Sequence, residues 1–496
     1  MNISFVLLTI IAAVLASFIM VNWVYFKILK IAKDKGLVDN PDARKLQKEP
    51  IPVMGGIAVF IGAIVGVFAG AVVHKIGGTP VTSTLLPIVC SMMVMLYTGA
   101  MDDIIGLTPK SRLVIECLVM LGLIYGSGHC IDTFHGMWGI HQFSWWIAVP
   151  LTVFAGVGII NAINMIDGVN GLSSGLCITC SCLFGVAFLK SGDIANATLA
   201  FAMASALLPF LAHNVFGLKS RMFIGDAGTM VLGVVMIWFT ISMLSSKSPV
   251  VYYEAATGIN VIAFALAILS VPVFDTIRVM TMRIMKKKSP FHPDKTHLHH
   301  VFVNIGISHS ITSLSEILIG VMMVGIWALS VEFGASVNMQ LYVVIVAAMI
   351  LVWGMYAILR YHVKHHTKFL HMLAKFSIKT HLGRTDWWKT LTAWLDEPEE
   401  RLKTKMLTAT PEMPYATVRK FDLSDPYNQK ELDRKKIIDF MKGKAEVFVE
   451  DIKRNSGADA MRVYPILFEE VQEGYVAIVK ADSWGAPVIV CLTGKA

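Results

Sequence analysis

Charged residues are scarce in this sequence, and their scarcity excludes an ordinary soluble protein. Only 16% of the 496 residues are Asp, Glu, Lys or Arg, while 55% are apolar, and the mean hydropathy is +0.63. One or two soluble cores could not bury that much apolar surface. The composition therefore predicts an all-α polytopic membrane protein.

Cysteines are also few, and their positions exclude a disulfide framework. Of the 7 cysteines, most lie inside apolar runs, while Cys130 and Cys491 stand apart from the others. The C-x2-C-x-C spacing of Cys177–Cys182 has no nearby His or acid, so these residues are interpreted as small core residues rather than metal ligands.

Long apolar runs, each of roughly the 20 residues that a bilayer-spanning helix needs, predict about eleven spans. We place them at 3–26, 53–73, 83–99, 113–128, 144–160, 172–189, 195–212, 228–245, 258–281, 312–331 and 338–360. The first run lacks a basic leading segment and is longer than the apolar part of a secretion signal, so we expect an anchor rather than a cleaved leader.

The distribution of lysine and arginine predicts the orientation of these spans. The loops after the even-numbered spans carry only Lys75, Lys190 and Lys247, whereas the alternate loops are rich in basic residues. Because cytoplasmic loops hold the excess of positive charge, we expect the N-terminus outside and the C-terminus in the cytoplasm. The polar motifs described next all fall in the cytoplasmic loops.

The first motif is GAMDDIIGLTPKSR, residues 99–112. Asp102 and Asp103 stand at the end of a span, where the helix dipole disfavours carboxylates. Two adjacent carboxylates there can bind a divalent cation or act as a base; alternatively they only mark the membrane surface. A cap at Thr108 with Pro109 after it would aim Lys110 and Arg112 at the same place, as anion-binding residues.

The second motif is NAINMIDGVNG, residues 161–171, in which Asn161, Asn164, Asp167 and Asn170 recur at every third position. On a tight turn this spacing places four oxygen donors on one side, suited to Mg²⁺ or to the edge of a base or sugar. Asp167 is a catalytic candidate, and Asn161 and Asn170 are candidates for substrate binding. Ordinary interfacial capping is the alternative.

The third motif, HNVFGLKSRMFIGDAGTM at residues 213–230, contains Asn214, Lys219, Arg221 and Asp226. Asp226 is expected either to cap the next span or to bind a cation, since the small residues around it permit close approach. Asn214 is a substrate-binding candidate.

The fourth motif is SPFHPDKTHLHH, residues 289–300, with His297, His299 and His300 after Lys295. The spacing does not suit zinc, and no cysteine is near. Histidines beside lysines can instead donate hydrogen bonds to a diphosphate whose remaining charge Mg²⁺ neutralises. A solvated histidine-rich loop is the alternative.

Together with GLVDNPDARKLQKEPIPVMGG at 36–56, these motifs in this order resemble the polyprenyl-phosphate N-acetylhexosamine-1-phosphate transferase family, and within it the WecA/TagO branch. The resemblance covers roughly residues 1–365. It implies a Mg²⁺-dependent reaction, with Mn²⁺ as the alternative ion. In the implied reaction a polyprenyl phosphate, undecaprenyl phosphate in bacteria, attacks the β-phosphorus of a UDP-sugar and releases UMP, and the lipid product starts a cell-envelope polysaccharide.

The resemblance also implies roles for individual residues. It implies an acidic pair acting on the lipid phosphate (Asp102 and Asp103), metal ligands (Asn164 and Asp226), residues near the diphosphate (Arg112 and Lys48) and a clamp on phosphate and sugar (His297, His299 and His300). Many bacterial relatives have DGxDG where this chain has Asp167-Gly-Val-Asn170. Asn170 thus replaces an acid thought to face uracil, although an amide can still pair with uracil's edge.

Two alternatives stay open at this point. A transporter could hold the intramembrane acids Glu116 and Asp275, but transport sites lie near the membrane midplane between repeats, and no internal repeat is present. Asp275 is also expected to pair with Arg278 one turn later. Within the enzyme class, UDP-MurNAc-pentapeptide, the donor of the related MraY branch, competes with UDP-GlcNAc, which the last loop favours.

The remainder of the chain is polar. Residues 366–381 form a basic segment suited to anionic headgroups, and 382–496 are expected to form a small soluble α/β domain of unknown role. Its pattern predicts a helix at about 425–455 and three strands, MRVYPILFEE, GYVAIVKAD and APVIVCLTG. The sequence leaves a homodimer open and predicts no nucleic-acid partner.

Overall fold

The computed structural model of the protein describes residues 3–39, 50–76, 82–289, 296–365, 367, 369, 372, 385–408, 426–458, 460–473, 475–481 and 487–493. Two compact units result, Met1–Ala409 and Thr410–Ala496. The predicted residues Lys48 and Lys295 lie outside the described ranges.

The first unit is a helical bundle. Its helices are α1 (Ile3–Asp34), α2 (Gly55–Ile76), α3 (Thr82–Ile105), α4 (Pro109–Ser127), α5 (Trp145–Met165), α6 (Leu172–Ser191), α7 (Ile194–Phe216), α8 (Gly225–Leu244), α9 (Val250–Thr257), α10 (Val261–Ile268), α11 (Ser270–Met285), α12 (Leu298–Asn304), α13 (His309–Glu332), α14 (Val337–Ala348), α15 (Met355–His365) and α16 (Asp386–Thr408). Two short strands, β1 (Val38–Asp39) and β2 (Ile51–Pro52), pair antiparallel before α2.

The prediction of a polytopic helical membrane protein is confirmed. Within the described ranges, 9 helices are long and apolar enough to cross a membrane, or up to 10 if the bent pair α9 and α10 forms one span. The larger total of about eleven stays a prediction. It depends on α4, which carries three charged residues among its first eight, and on the predicted span 258–281, which is divided between α10 and α11.

Helix α8 is the centre of the bundle. Its most apolar stretch is completely buried, and α2, α3, α5 and α6 all pack against it. Close approach depends on glycine: a Cβ atom at Gly233 would lie 2.7 Å from the Ile160 Cα atom, and one at Gly228 would lie 2.8 Å from the Gly56 Cα atom. Small residues at such crossings are the usual means of helix association in membranes. The start of α8 is thereby fixed against its neighbours.

Irregular backbone interrupts the described helices of this unit within apolar segments. Helices α9 and α10 meet at a bend of 109°, after Gly258 ends α9 in the left-handed conformation with φ 68°. A single π-helical turn, Met349–Gly354, separates α14 from α15. Such breaks occur in membrane proteins where protein or a cavity surrounds the irregular backbone.

The second unit is a small α/β fold with its own core. It contains α17 (Pro426–Met441), β3 (Val447–Phe448), α18 (Val449–Asn455), α19 (Ala460–Glu473), β4 (Val476–Ala481) and β5 (Pro487–Leu492). The antiparallel sheet has the order β3-β5-β4. The predicted strands GYVAIVKAD and APVIVCLTG are therefore confirmed.

One of the three predicted strands is wrong, and the predicted helix is shorter than expected. MRVYPILFEE forms most of α19, because Val463, Ile466 and Leu467 follow the helical period and bury one face. Helix α17 ends at Met441, and Gly443 follows with φ 75°, a left-handed conformation that glycine accommodates after a helix.

The division between the units differs from the predicted boundary at residue 382. Helix α16 belongs to the first unit, since it packs against α7. Thr392, for example, donates a hydrogen bond of 2.8 Å to the Phe216 carbonyl oxygen at the end of α7.

Candidate active site

Asp103 joins the end of α3 to the beginning of α8. Its two carboxylate oxygens accept hydrogen bonds from the backbone N–H groups of Asp226, at 2.9 Å, and of Ala227, at 3.1 Å. A carboxylate is unfavourable at the end of its own helix but favourable at the N-terminus of another. The two N–H groups at the start of α8 thus offset part of the cost of placing a carboxylate at the end of α3.

Asp102, the other half of the acidic pair, holds the loop that follows α3. It accepts a hydrogen bond of 2.7 Å from the Leu107 N–H and lies 3.3 Å from Arg112 Nη1. The expected cap is confirmed: the Thr108 side chain accepts from the Ser111 N–H, and Pro109 begins α4. This local start turns Arg112 back toward Asp102, whereas Lys110 is exposed.

Arg112 is held between two carboxylates. Its Nε atom donates to Glu116 Oε1 at 3.1 Å, while Nη1 lies on Asp102. Its Nη2 atom is buried and has no hydrogen-bond partner within the part of the chain that the structure describes. A guanidinium fixed on two sides with a third N–H group unused is suited to an anion such as phosphate.

Glu116 connects Arg112 to the amide motif. This fully buried acid accepts a hydrogen bond of 2.6 Å from Asn161 Nδ2. From the sequence, Glu116 was expected only as a candidate transport residue, and this role was not predicted. The signal was present in the i, i+4 spacing of Arg112 and Glu116 in an otherwise apolar helix.

Asn164 and Asp226 lie against each other. The Asn164 Nδ2 atom donates to Asp226 Oδ1 at 2.5 Å and to Thr229 Oγ1 at 2.6 Å. Asp226 is not the cap of α8, because Ile224 occupies that position; its side chain instead faces α5. Its carboxylate lies within electrostatic range of Arg112 and Asp102, so the two groups of contacts belong to one site.

The rest of the amide motif forms the turn between α5 and α6. Asp167 is exposed overall, but its carboxyl group accepts a 2.5 Å hydrogen bond from the buried Ser173 hydroxyl. Burial of the carboxyl group raises the pKa of Asp167 to about 6, and the bond from Ser173 only partly offsets this effect. The Asn170 N–H lies 3.5 Å from His309 Nδ1.

Asn214 ties this turn to the third motif. Its Oδ1 atom accepts from the Gly171 N–H at 2.7 Å, and its Nδ2 atom donates to the Met222 carbonyl oxygen at 2.9 Å. The four oxygen donors of the second motif do not share one side. Asn161 and Asn164 project from the last turns of α5, whereas Asp167 and Asn170 lie on the turn that follows.

Three histidines of the fourth motif cluster at the start of α12. His297 is at the N-cap position, and its Nδ1 atom lies 2.8 Å from Asp275 Oδ2. Asp275 also pairs with Arg278 at 2.6 Å, as expected. The additional contact of Asp275 with His297 was not predicted, because it joins residues on separate helices.

His299 is buried against the amide turn. A Cβ atom at Gly168 would lie 2.6 Å from His299 Nε2, and neither ring nitrogen has a hydrogen-bond partner among the described residues. Burial, together with the rings of His300 and His297, holds the pKa of His299 well below its ordinary value. The ring is therefore neutral at pH 7, with one N–H donor and one acceptor.

The donor set fits Mg²⁺ but not a cage made by protein alone. Asp226 and Asn164 bring a carboxylate and a side-chain amide together, with the amide nitrogen on the carboxylate. Carboxylate and amide oxygens are ligands that Mg²⁺ prefers, and the Asn164 oxygen would face the ion after a half-turn of the amide group. No group of three His, Cys, Asp or Glu residues within the described ranges is arranged to hold an ion. One or two protein ligands completed by substrate phosphates is the usual arrangement for this ion.

Comparison with known proteins gives consistent matches. The family model described as Glycosyl transferase family 4 matches residues 85–244. A protein of Bacillus subtilis (strain 168) named "Probable undecaprenyl-phosphate N-acetylglucosaminyl 1-phosphate transferase" is 32% identical over 315 residues, covering 63% of this chain and 83% of that protein. Two proteins named "Undecaprenyl-phosphate alpha-N-acetylglucosaminyl 1-phosphate transferase" are each 30% identical. The match to the Yersinia pestis protein covers 56% of this chain and 73% of that protein. The match to the Escherichia coli (strain K12) protein covers 61% of this chain and 78% of that protein.

Proposed function

The chain belongs to glycosyl transferase family 4, and we propose that it transfers N-acetylglucosamine-1-phosphate from UDP-N-acetylglucosamine to undecaprenyl phosphate. The family predicted from the sequence motifs is thereby confirmed. UMP leaves, and undecaprenyl-diphospho-N-acetylglucosamine stays in the membrane as the starting point for an envelope polysaccharide. The names of the relatives contain the same acceptor, undecaprenyl phosphate, and the same sugar, N-acetylglucosamine.

The observation that carries this proposal is the environment of Arg112. Its guanidinium is fixed by Asp102 and Glu116, its third nitrogen is buried without a partner in the described ranges, and Asp226 lies within electrostatic range. A site that joins a cation for phosphate with oxygen donors for Mg²⁺ is suited to phosphoryl transfer.

The proposed reaction exchanges one phosphoanhydride for another. An oxygen of the lipid phosphate bonds to the β-phosphorus of the nucleotide sugar, the bond from that phosphorus to the bridging oxygen breaks, and the bridging oxygen leaves with UMP. The main obstacle is bringing two anions together. Arg112 reduces their repulsion, and neutral His299 donates one hydrogen bond to a phosphate oxygen. Fixing both substrates at one end of the bundle lowers the entropic barrier.

Direct displacement is the mechanism that the hydrogen bonds favour. Both oxygens of Asp103 accept backbone N–H groups, and both oxygens of Asp102 are also engaged. An aspartyl-phosphosugar intermediate would require one of these carboxylates to give up its bonds. Recovery of a labelled sugar-phosphate covalently attached to the protein after acid quenching would contradict direct displacement.

Mg²⁺, or Mn²⁺ in its place, would be held by Asp226 and the amide oxygen of Asn164. When bound, the ion supplies positive charge that offsets the charge of the diphosphate. Asp102 holds Arg112, and Asp103 holds the start of α8. Asp167 accepts a hydrogen bond from Ser173 on the turn after α5. Asn161 and Asn170 present amides to the nucleotide and sugar.

The orientation follows from the basic loops. The protein is a multi-pass membrane protein, and the site residues gather at one end of the bundle. We place that end at the cytoplasmic face of a bacterial inner membrane, with the N-terminus outside, because the basic loops lie on the same side. UDP-sugars, which are cytoplasmic, would then reach the site directly.

UMP release by the detergent-solubilised full chain tests this function. With Mg²⁺, undecaprenyl phosphate and UDP-N-acetylglucosamine, we expect UMP that depends on both the lipid and the ion, and that Asp226→Asn loses. UDP-MurNAc-pentapeptide in the same assay separates the two donors. UMP from the pentapeptide donor alone would contradict the proposed sugar, and no UMP from either donor would contradict the proposed reaction.

A further inference from the structure

Helix α16 contacts the loop that leads into the active site. It lies outside the matched segment 85–244, and its buried face contains Thr392, Leu395 and Asp396. The Trp388 ring packs at a tilt against Phe216, the last residue of α7, with ring centroids 4.5 Å apart. The apolar contacts place Asp396 directly over the loop 217–221.

Asp396 is bound by three consecutive backbone N–H groups of that loop. Its carboxylate accepts from Leu218 at 3.2 Å and from Lys219 and Ser220 at 3.0 Å each, and it also accepts from the Ser220 hydroxyl at 2.6 Å. Successive N–H groups directed at one anion form a nest, which fixes the backbone conformation of the residues that make it. Asp396 is only 6% exposed, so little water competes for these bonds.

Other contacts hold the opposite side of the loop. Tyr25 donates to the Ser220 carbonyl oxygen at 2.8 Å, and His213 Nδ1 lies 3.1 Å from the Ser220 hydroxyl oxygen. Beyond the loop, the Phe223 N–H bonds to the Pro52 carbonyl oxygen at 2.8 Å. The segment from 217 to 224 is thus fixed from several directions before α8 begins at Gly225.

The residue that this loop brings to the site is Arg221. Its guanidinium lies within electrostatic range of His309, whose ring approaches the Asn170 N–H. The same part of the loop is joined to the amide turn by Asn214, through Gly171 and Met222. A cation beside the turn that carries Asn170 is suited to a nucleotide diphosphate, because arginine matches phosphate oxygens and an amide pairs with a base or sugar.

We propose that Asp396 is a positioning residue for the transfer reaction: by holding the loop 217–221, it orients Arg221 toward the diphosphate of the nucleotide sugar. This inference rests on the proposed function for its substrate. It extends the working site to a helix that the family match does not include, and it makes the region after the last span necessary for full activity.

Asp396→Asn is the direct test, with Asp386→Asn as the matched control. Asp386 lies on the same helix, its side chain is 99% exposed, and it pairs only loosely with Lys389 at 3.3 Å. The Asn side chain at 396 would place an NH2 group against backbone N–H donors. We expect the KM for UDP-N-acetylglucosamine to rise on the order of tenfold, with the KM for undecaprenyl phosphate unchanged and Asp386→Asn like wild type.

A double-mutant cycle with Arg221→Ala separates positioning from general stability. If Asp396 acts through Arg221, Asp396→Asn changes the KM for the nucleotide sugar by less than about twofold once Arg221 is absent. Effects that multiply in the double variant would overturn the proposal. An Asp396→Asn variant that keeps the wild-type KM, or that changes both substrates' KM values equally, would overturn it too.

Hydrogen–deuterium exchange gives a readout that does not depend on turnover. In the full chain, Asp396→Asn should speed exchange at the amides of Leu218, Lys219 and Ser220, and Asp386→Asn should not. Unchanged exchange at these amides would overturn the proposal even if no donor gave UMP. Absence of UMP from the wild-type protein, with the expected exchange, would instead count against the proposed reaction.

Discussion

Replacing Glu116 with Gln should uncouple Arg112 from the amide motif without changing the size of the side chain. The Glu116 carboxylate is fully buried and receives two hydrogen bonds, one from Arg112 Nε at 3.1 Å and one from Asn161 Nδ2 at 2.6 Å. A Gln side chain can accept only one of them through its oxygen. Its NH2 group would face the remaining donor.

The magnitude follows from the loss of one charge-assisted bond. Such a bond contributes about 1.5–3 kcal/mol. Because the Arg112 side chain is only 17% exposed, water can replace the lost hydrogen bond only in part. We take about 2 kcal/mol as the interaction energy that holds Arg112 in position and is lost in Glu116→Gln. If Arg112 uses this alignment in the transition state, kcat/KM falls about thirtyfold.

The assay is UMP release at a series of UDP-N-acetylglucosamine concentrations, with thermal unfolding of the same samples. We expect a lower kcat/KM and a moderately lower Tm for Glu116→Gln. Glu116→Ala should lower both kcat/KM and Tm further, because it removes the Glu116 oxygens that accept from Arg112 and from Asn161. Wild-type kcat/KM in Glu116→Gln would refute the reasoning that Glu116 aligns Arg112.

Three further outcomes follow from the site. Gly168→Ala should reduce UMP release severely, because its Cβ atom would lie 2.6 Å from His299 Nε2. The control Gly122→Ala, whose Cβ atom would have nothing within 4 Å, should leave UMP release unchanged. Equal UMP release by the two variants would contradict the contact between Gly168 and His299. The pKa of His299 is depressed in the folded protein. As pH falls below about 6.5, His299 is therefore protonated in the unfolded chain but not in the folded one, and the free energy of unfolding decreases. His299→Gln should show a smaller drop in Tm between pH 7.5 and 5, and an identical drop would count against the buried neutral ring. Removal of divalent ions with EDTA should stop UMP release and added Mg²⁺ should restore it, with a higher Mg²⁺ requirement for Asn164→Ala; turnover that persists in EDTA would exclude the proposed ion.

The parts of the site that local sequence determines could be predicted. Thr108 and Pro109 begin α4 as expected, because capping depends on neighbours only three residues apart. Asp275 pairs with Arg278 for the same reason. The alternation in β4 and β5 was also sufficient to identify the two strands.

The contacts that complete the site join residues far apart in the chain, and no local pattern contains them. Asp103 accepts from the Asp226 N–H, 123 residues later, and His297 reaches Asp275 across 22 residues. Asp396 lay in a region where only composition was informative. The alternating polarity of MRVYPILFEE predicts a strand, but the same short segment also fits the helical period that the structure adopts.

Position-specific labelling of the donor tests the central claim most directly. UDP-N-acetylglucosamine carrying ³²P only at the β-phosphate would be incubated with undecaprenyl phosphate, Mg²⁺ and the full chain, and the lipid and aqueous products separated. The account predicts the label in the lipid fraction, as undecaprenyl-diphospho-N-acetylglucosamine, with one unlabelled UMP per labelled lipid. Label recovered in a water-soluble nucleotide, with sugar but no β-phosphate on the lipid, would contradict transfer of sugar-1-phosphate.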